Sequence, residues 1–179
     1  MNWMPRLATL DDISALETLI PLSVRVLQAP YYSAAQMAAA MGQVFGVDRQ
    51  LISDGTYFVV EVAGVIIGCG GWSKRKSLFG AETARRGEDT MLDPTTDPAR
   101  IRAFFIHPEW SRRGIGRAIL TACESAIIAA GFSQAELVAT LAGEPLYLIC
   151  GYREVERYEI SMSGGLTLPA LRMTKRLAP

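Results

Sequence analysis

The spacing of hydrophobic residues changes several times along the chain, and each change predicts a helix or a strand. Residues 3–8 predict a short strand. A helix is predicted next, because two aspartates after Thr9 open a segment with apolar residues at helical spacing. Pro21 is expected to interrupt or end this helix, since a proline lacks the N–H that a helix interior requires. A second helix, rich in alanine and methionine, is predicted to begin at Ser33.

The middle of the chain has the pattern of β structure. The runs TYFVVEV and VIIGCGGW are typical of strands and are separated only by Ala63 and Gly64, which predicts a hairpin. A polar segment over residues 74–100 follows, with no regular hydrophobic period. Connections of this length are uncommon and are often functional, so we expect this segment to border a site.

The rest of the sequence alternates between strands and helices. The predicted elements, in order, are the strand IRAFFI, the helix GIGRAILTACESAIIAA, the strand AELVATL, the short helix EPLYLIC, and the strands GYREVERYEISM and TLPALRMTKRL. The long helix begins near Gly114 and has a natural C-cap in Gly131. Because no repeat or linker is visible, these elements predict one α/β domain over residues 1–179, with a mixed sheet of about seven strands.

Composition and charge exclude several classes of function. Half of the 179 residues are hydrophobic, which suits one domain with a sizeable core. Eighteen Lys and Arg residues balance eighteen Asp and Glu residues, so we expect no nucleic-acid or membrane partner. The sequence shows no secretory leader and no apolar run near the roughly 18 residues of a membrane helix, which predicts a cytoplasmic protein. The sequence has three cysteines without C-x-x-C spacing and a single histidine, so we expect neither disulfides nor a metal site.

The segment HPEWSRRGIGRAIL, at the start of the long helix, carries the most specific chemistry. A helix N-terminus presents backbone N–H groups without intrahelical partners and roughly half a unit of positive charge, which suits phosphate. Gly114 and Gly116 leave these N–H groups accessible, while Arg112, Arg113 and Arg117 add charge-assisted donors. The pattern predicts a nucleotide-like diphosphate as the ligand.

Two other phosphate-binding patterns fit this segment less well. A Walker loop requires a glycine, a lysine and a hydroxyl residue in succession, and the sequence contains no such run. The dinucleotide pattern G-x-G-x-x-G has Ile119 at its third glycine, and HPEWSRR separates it from the preceding strand. Glu136 lies at about the distance of a ribose-binding acid, yet at the beginning of its strand rather than at the end. A dinucleotide-binding protein is therefore a remote alternative.

The region from about Arg100 to Tyr152 resembles the acyl-CoA-binding core of the GCN5-related N-acetyltransferase (GNAT) superfamily. The family signature Gln/Arg-x-x-Gly-x-Gly/Ala corresponds to SRRGIG, residues 111–116, with Ser111 in place of the usual first residue. The predicted strand AELVATL and the segment GEPLYLICGY then follow in the same order as the corresponding parts of the family. The resemblance implies a mixed, mostly antiparallel sheet flanked by about four helices, with a V-shaped cofactor cleft between the two central strands. It also implies a homodimer.

The resemblance further implies that the cofactor is acetyl-CoA. The N–H groups of residues 112–117 would hold its pyrophosphate, and the strand over residues 104–106 would pair through its backbone with the pantetheine arm. One freed N–H of this strand would polarise the thioester carbonyl, as an oxyanion hole does. The residues implied in cofactor binding are Phe105, Ile106, Arg112, Arg113, Gly114, Ile115, Gly116 and Arg117.

Tyr147 is the residue that the resemblance places beside the cofactor sulfur. In the family a tyrosine lies four residues before a Gly-aromatic pair, and LYLICGY has this register. A phenol with a pKa of about 10 can protonate the departing thiolate as a general acid. The general base is left open between Glu61, Glu144 and water, because the strand before the motif offers Arg100 and Arg102 rather than a carboxylate.

These features together predict an N-acetyltransferase that passes acetyl from acetyl-CoA directly to the primary amine of a small molecule. A peptide or protein amine is the less favoured acceptor. Direct transfer is expected because the sequence presents no convincing covalent nucleophile. The main alternative is a non-catalytic acyl-CoA-binding module, since a fold can persist without its activity.

Overall fold

The predicted strands are all present in the computed structural model, which describes residues 3–77 and 90–177. Within these ranges one sheet contains seven strands. They are β1 (Arg6–Leu7), β2 (Tyr57–Val62), β3 (Val65–Ser73), β4 (Ala99–Ile106), β5 (Gln134–Thr140), β6 (Arg153–Ser161) and β7 (Thr167–Arg176). The β2–β3 hairpin turns through Ala63 and Gly64, both with positive φ, as in a type I′ turn.

The strand order across the sheet is β1-β2-β3-β4-β5-β7-β6. Neighbouring strands are antiparallel except β4 and β5, which run parallel. The predicted mixed, mostly antiparallel sheet is therefore confirmed. The long helix of the motif is the crossover between the two parallel strands, as such a connection requires.

Five helices accompany the sheet in the described residues. They are α1 (Ile13–Leu27), α2 (Ala34–Ala40), α3 (Arg49–Ser53), α4 (Ile115–Ala129) and α5 (Glu144–Ile149). The sequence did not predict α3, a helix of five residues that Asp48 begins by accepting a hydrogen bond from the N–H of Leu51 at 3.3 Å. Across residues 3–77 and 90–177, no helix is long and apolar enough to span a membrane.

The prediction that Pro21 interrupts or ends the first helix is wrong. Helix α1 continues through Pro21 to Leu27. Proline removes one intrahelical hydrogen bond, but the buried stripe of Leu16 and Ile20 continues into Val24 on the far side of Pro21. Burial of this stripe against the sheet maintains the helix, because packing rather than propensity provides most helical stability in proteins.

The core consists of two layers, one on each face of the sheet. Consecutive residues of β2, Val59 and Val60, belong to different hydrophobic clusters, as the alternation of side chains along a strand requires. Helices α4 and α5 cover the face of Val60, and α1, α2 and α3 cover the face of Val59. Both faces of the central strands are thus protected from water.

The two central strands separate after a short paired stretch. Ala99, Arg100 and Ile101 of β4 pair with residues 135–137 of β5, and the pairing stops there, although both strands continue for several residues. This divergence is the predicted V-shaped opening. It begins beside a β-bulge in β4.

Candidate active site

The opening between β4 and β5 forms a cavity of about 700 Å³. Its walls come from the separated strands, the end of α1, the beginning of α4 and helix α5. At the bulge, Ala103 and Phe104 of β4 lie opposite the single residue Gly70 of β3. Ala103 has a φ of +58°, and its carbonyl accepts a hydrogen bond from the Tyr57 hydroxyl at 3.0 Å. Gly70 permits the bulge, since a Cβ at this position would lie 2.6 Å from the Phe104 ring.

The backbone of β4 presents alternate residues to the cleft. The His107 N–H donates to the Ile67 carbonyl of β3 at 2.9 Å, whereas the Ile106 N–H points the other way and donates to Ser23 Oγ on α1 at 3.2 Å. By this alternation the Phe104 N–H lies on the side of Ile106. The main chain of Phe105 instead faces β3, and its ring lines the cavity, edge-on to the Phe45 ring at 6.1 Å.

The segment of residues 111–117, called the phosphate loop after its predicted ligand, contributes to the cavity wall. It contains two left-handed residues, Arg112 with a φ of +61° and Gly114 with a φ of +86°. Gly114 is the N-cap of α4, and the first turn of the helix has no acidic side chain. Gly116 has an additional role that was not predicted: a Cβ there would lie 3.0 Å from Leu146 Cδ2, so Gly116 allows α5 to approach α4.

The three arginines of the phosphate loop have different surroundings. Arg112 and Arg117 line the cavity. Arg113 does not belong to the cavity wall: its guanidinium lies over the Trp110 ring, 5.0 Å from the ring centroid. Its carbonyl oxygen accepts a hydrogen bond from Trp3 Nε1 at 2.7 Å.

The donors at this end of the cavity suit the pyrophosphate of coenzyme A. Gly114, Ile115 and Gly116 bring the open N-terminus of a 15-residue helix to the cavity wall. Arg112 and Arg117 add two cations beside it. These donors have the chemistry of an anion site. The cavity continues from them into the cleft, where β4 is no longer paired with β5.

Tyr147 lies on α5 and lines the middle of the cavity wall. Its ring is packed edge-on between Phe104, at 6.1 Å, and Tyr152, at 5.8 Å, and only 7% of the residue is exposed. Gly143 makes room for the ring, since a Cβ there would lie 3.3 Å from Tyr147 Cε2. Burial raises the pKa of the Tyr147 phenol above its ordinary value, and the neighbouring Cys123 and Cys150 thiols raise it further.

Neither glutamate considered as a general base lines the cavity. Glu61 lies on β2 and forms an ion pair with Arg6 at 2.7 Å. Glu144, at the start of α5, pairs with Arg157 at 2.5 Å.

Among the described residues, the carboxylate that lines the cavity is Asp48, which sequence analysis missed. It forms a buried ion pair with Arg102 of β4, and the two residues are 2% and 5% exposed. The Arg102 side chain is thus held in the protein interior by this ion pair. The pair joins positions 54 residues apart, and the only sequence signal for Asp48 is its place before a short helix.

The polar segment over residues 74–100 is described at both ends, while residues 78–89 lie outside the described residues. Arg75 and Met91 form an antiparallel bridge. The Ser77 carbonyl accepts a hydrogen bond from Arg102 Nη1 at 3.0 Å, and Arg102 lines the cavity. Through Ser77, the described part of this segment thus contacts the cavity wall at Arg102.

The end of α1 contributes polar groups to the cavity. Gln28 Nε2 donates to Thr140 Oγ1 at the end of β5, at 3.2 Å. Gln28 Oε1 is buried, and no hydrogen-bond partner for it lies within residues 3–77 and 90–177. Tyr31, which is 48% exposed, and Pro30 complete this part of the wall.

Several conspicuous residues lie outside the cavity wall. Glu136 binds Arg100 and Arg172, so its carboxylate serves an ion-pair network at the start of β5 rather than a ribose. His107 and Cys150 are likewise absent from the wall. Across the described residues, no group of three His, Cys, Asp or Glu side chains could hold a metal ion.

A family model supports the resemblance seen in the sequence. The acetyltransferase (GNAT) domain model matches residues 53–154, which is more than half of the chain. The match includes the hairpin, both diverging strands, the phosphate loop and α5. No curated protein sequence matches the chain.

Solved structures with this fold cover nearly the whole chain. A GCN5-related N-acetyltransferase from Rhodopseudomonas palustris has a TM-score of 0.72 at 20% identity, over 99% of this chain and 97% of the other. The PaiA N-acetyltransferase from Thermoplasma acidophilum, solved with coenzyme A, has a TM-score of 0.65 at 14% identity, over 98% and 99%. A phosphinothricin acetyltransferase from Sinorhizobium meliloti, solved with acetyl-CoA, has a TM-score of 0.65 at 19% identity, over 99% and 90%.

Proposed function

Because this chain belongs to the GNAT acetyltransferase family, we propose that it transfers acetyl from acetyl-CoA directly to the primary amine of a small molecule. The observation that carries the proposal is one continuous cavity. It joins the N-terminus of α4, the opening between β4 and β5, and the Tyr147 side chain. Anion donors, free strand backbone and a buried acid thus line the same space.

The chain's own groups suit each part of acetyl-CoA. The N–H groups of the phosphate loop and the Arg112 and Arg117 side chains would hold the pyrophosphate. The Ile106 N–H is bound to Ser23, but the Ile106 carbonyl points away from β3, opposite the His107 N–H, and would accept a hydrogen bond from the pantetheine arm. When bound, acetyl-CoA supplies an acetyl group activated as a thioester. The Phe104 N–H, beside the bulge, is the donor that we assign to the thioester carbonyl.

Tyr147 acts as the general acid in this proposal. Its raised pKa keeps the phenol protonated at neutral pH, so it can donate a proton or a hydrogen bond to the sulfur. The ring contact with Phe104 holds the Tyr147 ring beside the β4 bulge.

Water is the general base that the described side chains favour. An alkylamine has a pKa of about 10.4 and must lose a proton before it attacks. Glu61 and Glu144 do not line the cavity, and Asp48 is held by Arg102. We assign the proton transfer to water in the open cleft, with Gln28 and Thr140 as polar groups that can orient the amine.

The experiment that tests this function measures free thiol released from acetyl-CoA in the presence of single amines. The panel contains small amines, amino acids, polyamines and a peptide with a free N-terminus. Release with a small amine is the expected result, and release with the peptide alone would change the acceptor class. Binding of coenzyme A without release for any amine would favour a non-catalytic module.

We also propose that the protein is a homodimer and that it is cytoplasmic. Light scattering would check the homodimer, and cell fractionation would check the location.

A further inference from the structure

Trp3 lies directly behind the phosphate loop, although the two are far apart in sequence. Trp3 is not part of the cavity wall. Its Nε1 donates to the Arg113 carbonyl at 2.7 Å, and its ring meets the Trp110 ring edge-on at 5.9 Å. A Cβ on Gly114 would lie 3.9 Å from Trp3 Nε1, so the indole also borders the N-cap of α4.

This hydrogen bond fixes the orientation of one peptide plane. The carbonyl of Arg113 and the N–H of Gly114 belong to the same peptide group, and no peptide bond of the described chain is cis. In a trans peptide the C=O and the N–H point in opposite directions. Since the carbonyl points at Trp3, the Gly114 N–H points away from Trp3. Gly114 lines the cavity, whereas Trp3 does not.

The same peptide is flanked by unusual backbone conformations. Arg112 and Gly114 both have positive φ, and Arg112 does so with a side chain that disfavours this region. Such a residue persists only when its surroundings fix it. The Arg113 guanidinium is held over Trp110, which itself contacts Trp3. Trp3, Trp110 and Arg113 therefore fix this part of the phosphate loop; Trp110 lines the cavity, whereas Trp3 and Arg113 lie outside its wall.

We propose that Trp3 is a positioning residue for coenzyme A: its indole N–H holds the Arg113–Gly114 peptide so that the Gly114 N–H faces the pyrophosphate. Arg113 then serves through its carbonyl and its contact with Trp110 rather than through a direct contact with phosphate. This inference rests on the proposed function, because it takes coenzyme A as the ligand of the phosphate loop.

The test is the affinity of the Trp3→Phe variant for coenzyme A, measured by calorimetry. Phenylalanine keeps an aromatic ring beside Trp110 but has no N–H. Loss of one orienting hydrogen bond is expected to weaken coenzyme A binding about three- to tenfold. The matched control is Trp72→Phe, because Trp72 Nε1 has no hydrogen-bond partner among the described residues and Trp72 is outside the cavity wall. This control should bind coenzyme A like the wild type.

A second readout separates positioning from a general structural effect. Acetylpantetheine lacks the pyrophosphate, so kcat/KM with this donor should be the same in the wild type and Trp3→Phe. With acetyl-CoA, kcat/KM should fall by the same three- to tenfold as the affinity. Because Trp3 is partly exposed and precedes β1, the variant is expected to fold, and its melting temperature checks this.

The remaining outcomes would overturn either the role of Trp3 alone or the proposed function as well. Equal coenzyme A affinity in the wild type and Trp3→Phe would overturn the role of Trp3 and leave the proposed function intact. Equal losses with acetyl-CoA and acetylpantetheine would also overturn it, because the effect would then not pass through the pyrophosphate. A wild-type protein that does not bind coenzyme A would overturn the proposed function, and the inference with it.

Discussion

The packing around Tyr147 keeps its phenol in the protonated form. Its ring is enclosed by Phe104 and Tyr152, and this burial disfavours the charged phenolate. A tyrosine with a raised pKa stays protonated at neutral pH, so it can donate a proton or a hydrogen bond but is not available as a base. Its surroundings therefore favour the role of acid over that of base.

Replacing Tyr147 by phenylalanine tests this role. Phenylalanine fills the same space, so the variant should fold and bind acetyl-CoA within about twofold of the wild type, while kcat falls roughly 100-fold, in the range for loss of a general acid. Steady-state kinetics and calorimetry give the two numbers. Unchanged kcat would remove Tyr147 from the mechanism.

The pH dependence of kcat follows from the direction of the same pKa. A raised pKa extends the protonated, active form of the phenol to higher pH, so Tyr147 should cause no loss of kcat below about pH 10. A profile of kcat from pH 6 to about 10 checks this. An alkaline loss near pH 8 in the wild type that disappears in Tyr147→Phe would contradict it.

The three cysteines are expected to differ in reactivity because they differ in burial. Cys69 and Cys123 are fully buried, and burial raises the pKa of both thiols, that of Cys69 to about 12. Cys150 is partly exposed. A thiol-reactive dye should therefore modify Cys150 rapidly in the native protein at pH 8 and all three residues after denaturation. The variant Cys150→Ser should lose the rapid phase, and a second rapid thiol in the wild type would refute the assignment.

At the scale of secondary-structure elements, α1 contains a proline that its sequence propensity does not favour. Pro21→Ala would restore a backbone N–H to the helix interior and remove a ring that crowds the preceding turn. The free energy of unfolding should rise by about 1–3 kcal/mol, as measured by denaturant unfolding. Pro145 is the matched control, because it occupies the first turn of α5, where proline is well tolerated, and Pro145→Ala should change stability little. A destabilised Pro21→Ala protein would show that the proline is needed.

The elements that the sequence predicts well are those with a local signal. The hairpin, the long helix α4 and the strands have a hydrophobic period, a turn pair or a cap that can be recognised within about 15 residues. Helix α3 is too short for a period to be visible. Ala103 gives no sequence signal for the β4 bulge. The glycine opposite the bulge, Gly70 on β3, is the residue type that such a close approach requires.

The parts of the site that could not be predicted depend on residues distant in sequence. Arg102 meets Asp48 from 54 positions away, and Trp3 meets Arg113 from 110 positions away. No local pattern encodes such pairs. The start of α4 at Gly114, in contrast, could be predicted, because the glycines and the helical pattern lie next to each other in sequence. Phosphate binding by this loop stays a prediction. The roles of Tyr147 and of the diverging strands came from the resemblance to a family rather than from the residues alone.

At the scale of the whole molecule, the site follows from the separation of two neighbouring strands of the sheet. Two core layers cover the faces of the central strands, and the parallel pair β4–β5 is the one place where neighbouring strands separate within the described chain. The crossover helix between them starts at this gap. A parallel pair joined by a helix thus brings free strand backbone and a helix N-terminus to the same end of the sheet.

The most direct test of this account is the melting temperature of the protein with acetyl-CoA, with NAD and with ATP, each in separate samples. A ligand that binds only the folded protein stabilises it by RT ln(1 + [L]/Kd), about 2.7 kcal/mol at 100 times Kd. The account predicts a clear rise in melting temperature with acetyl-CoA and little change with NAD. A rise with NAD and none with acetyl-CoA would contradict the assignment of the phosphate loop and of the cleft.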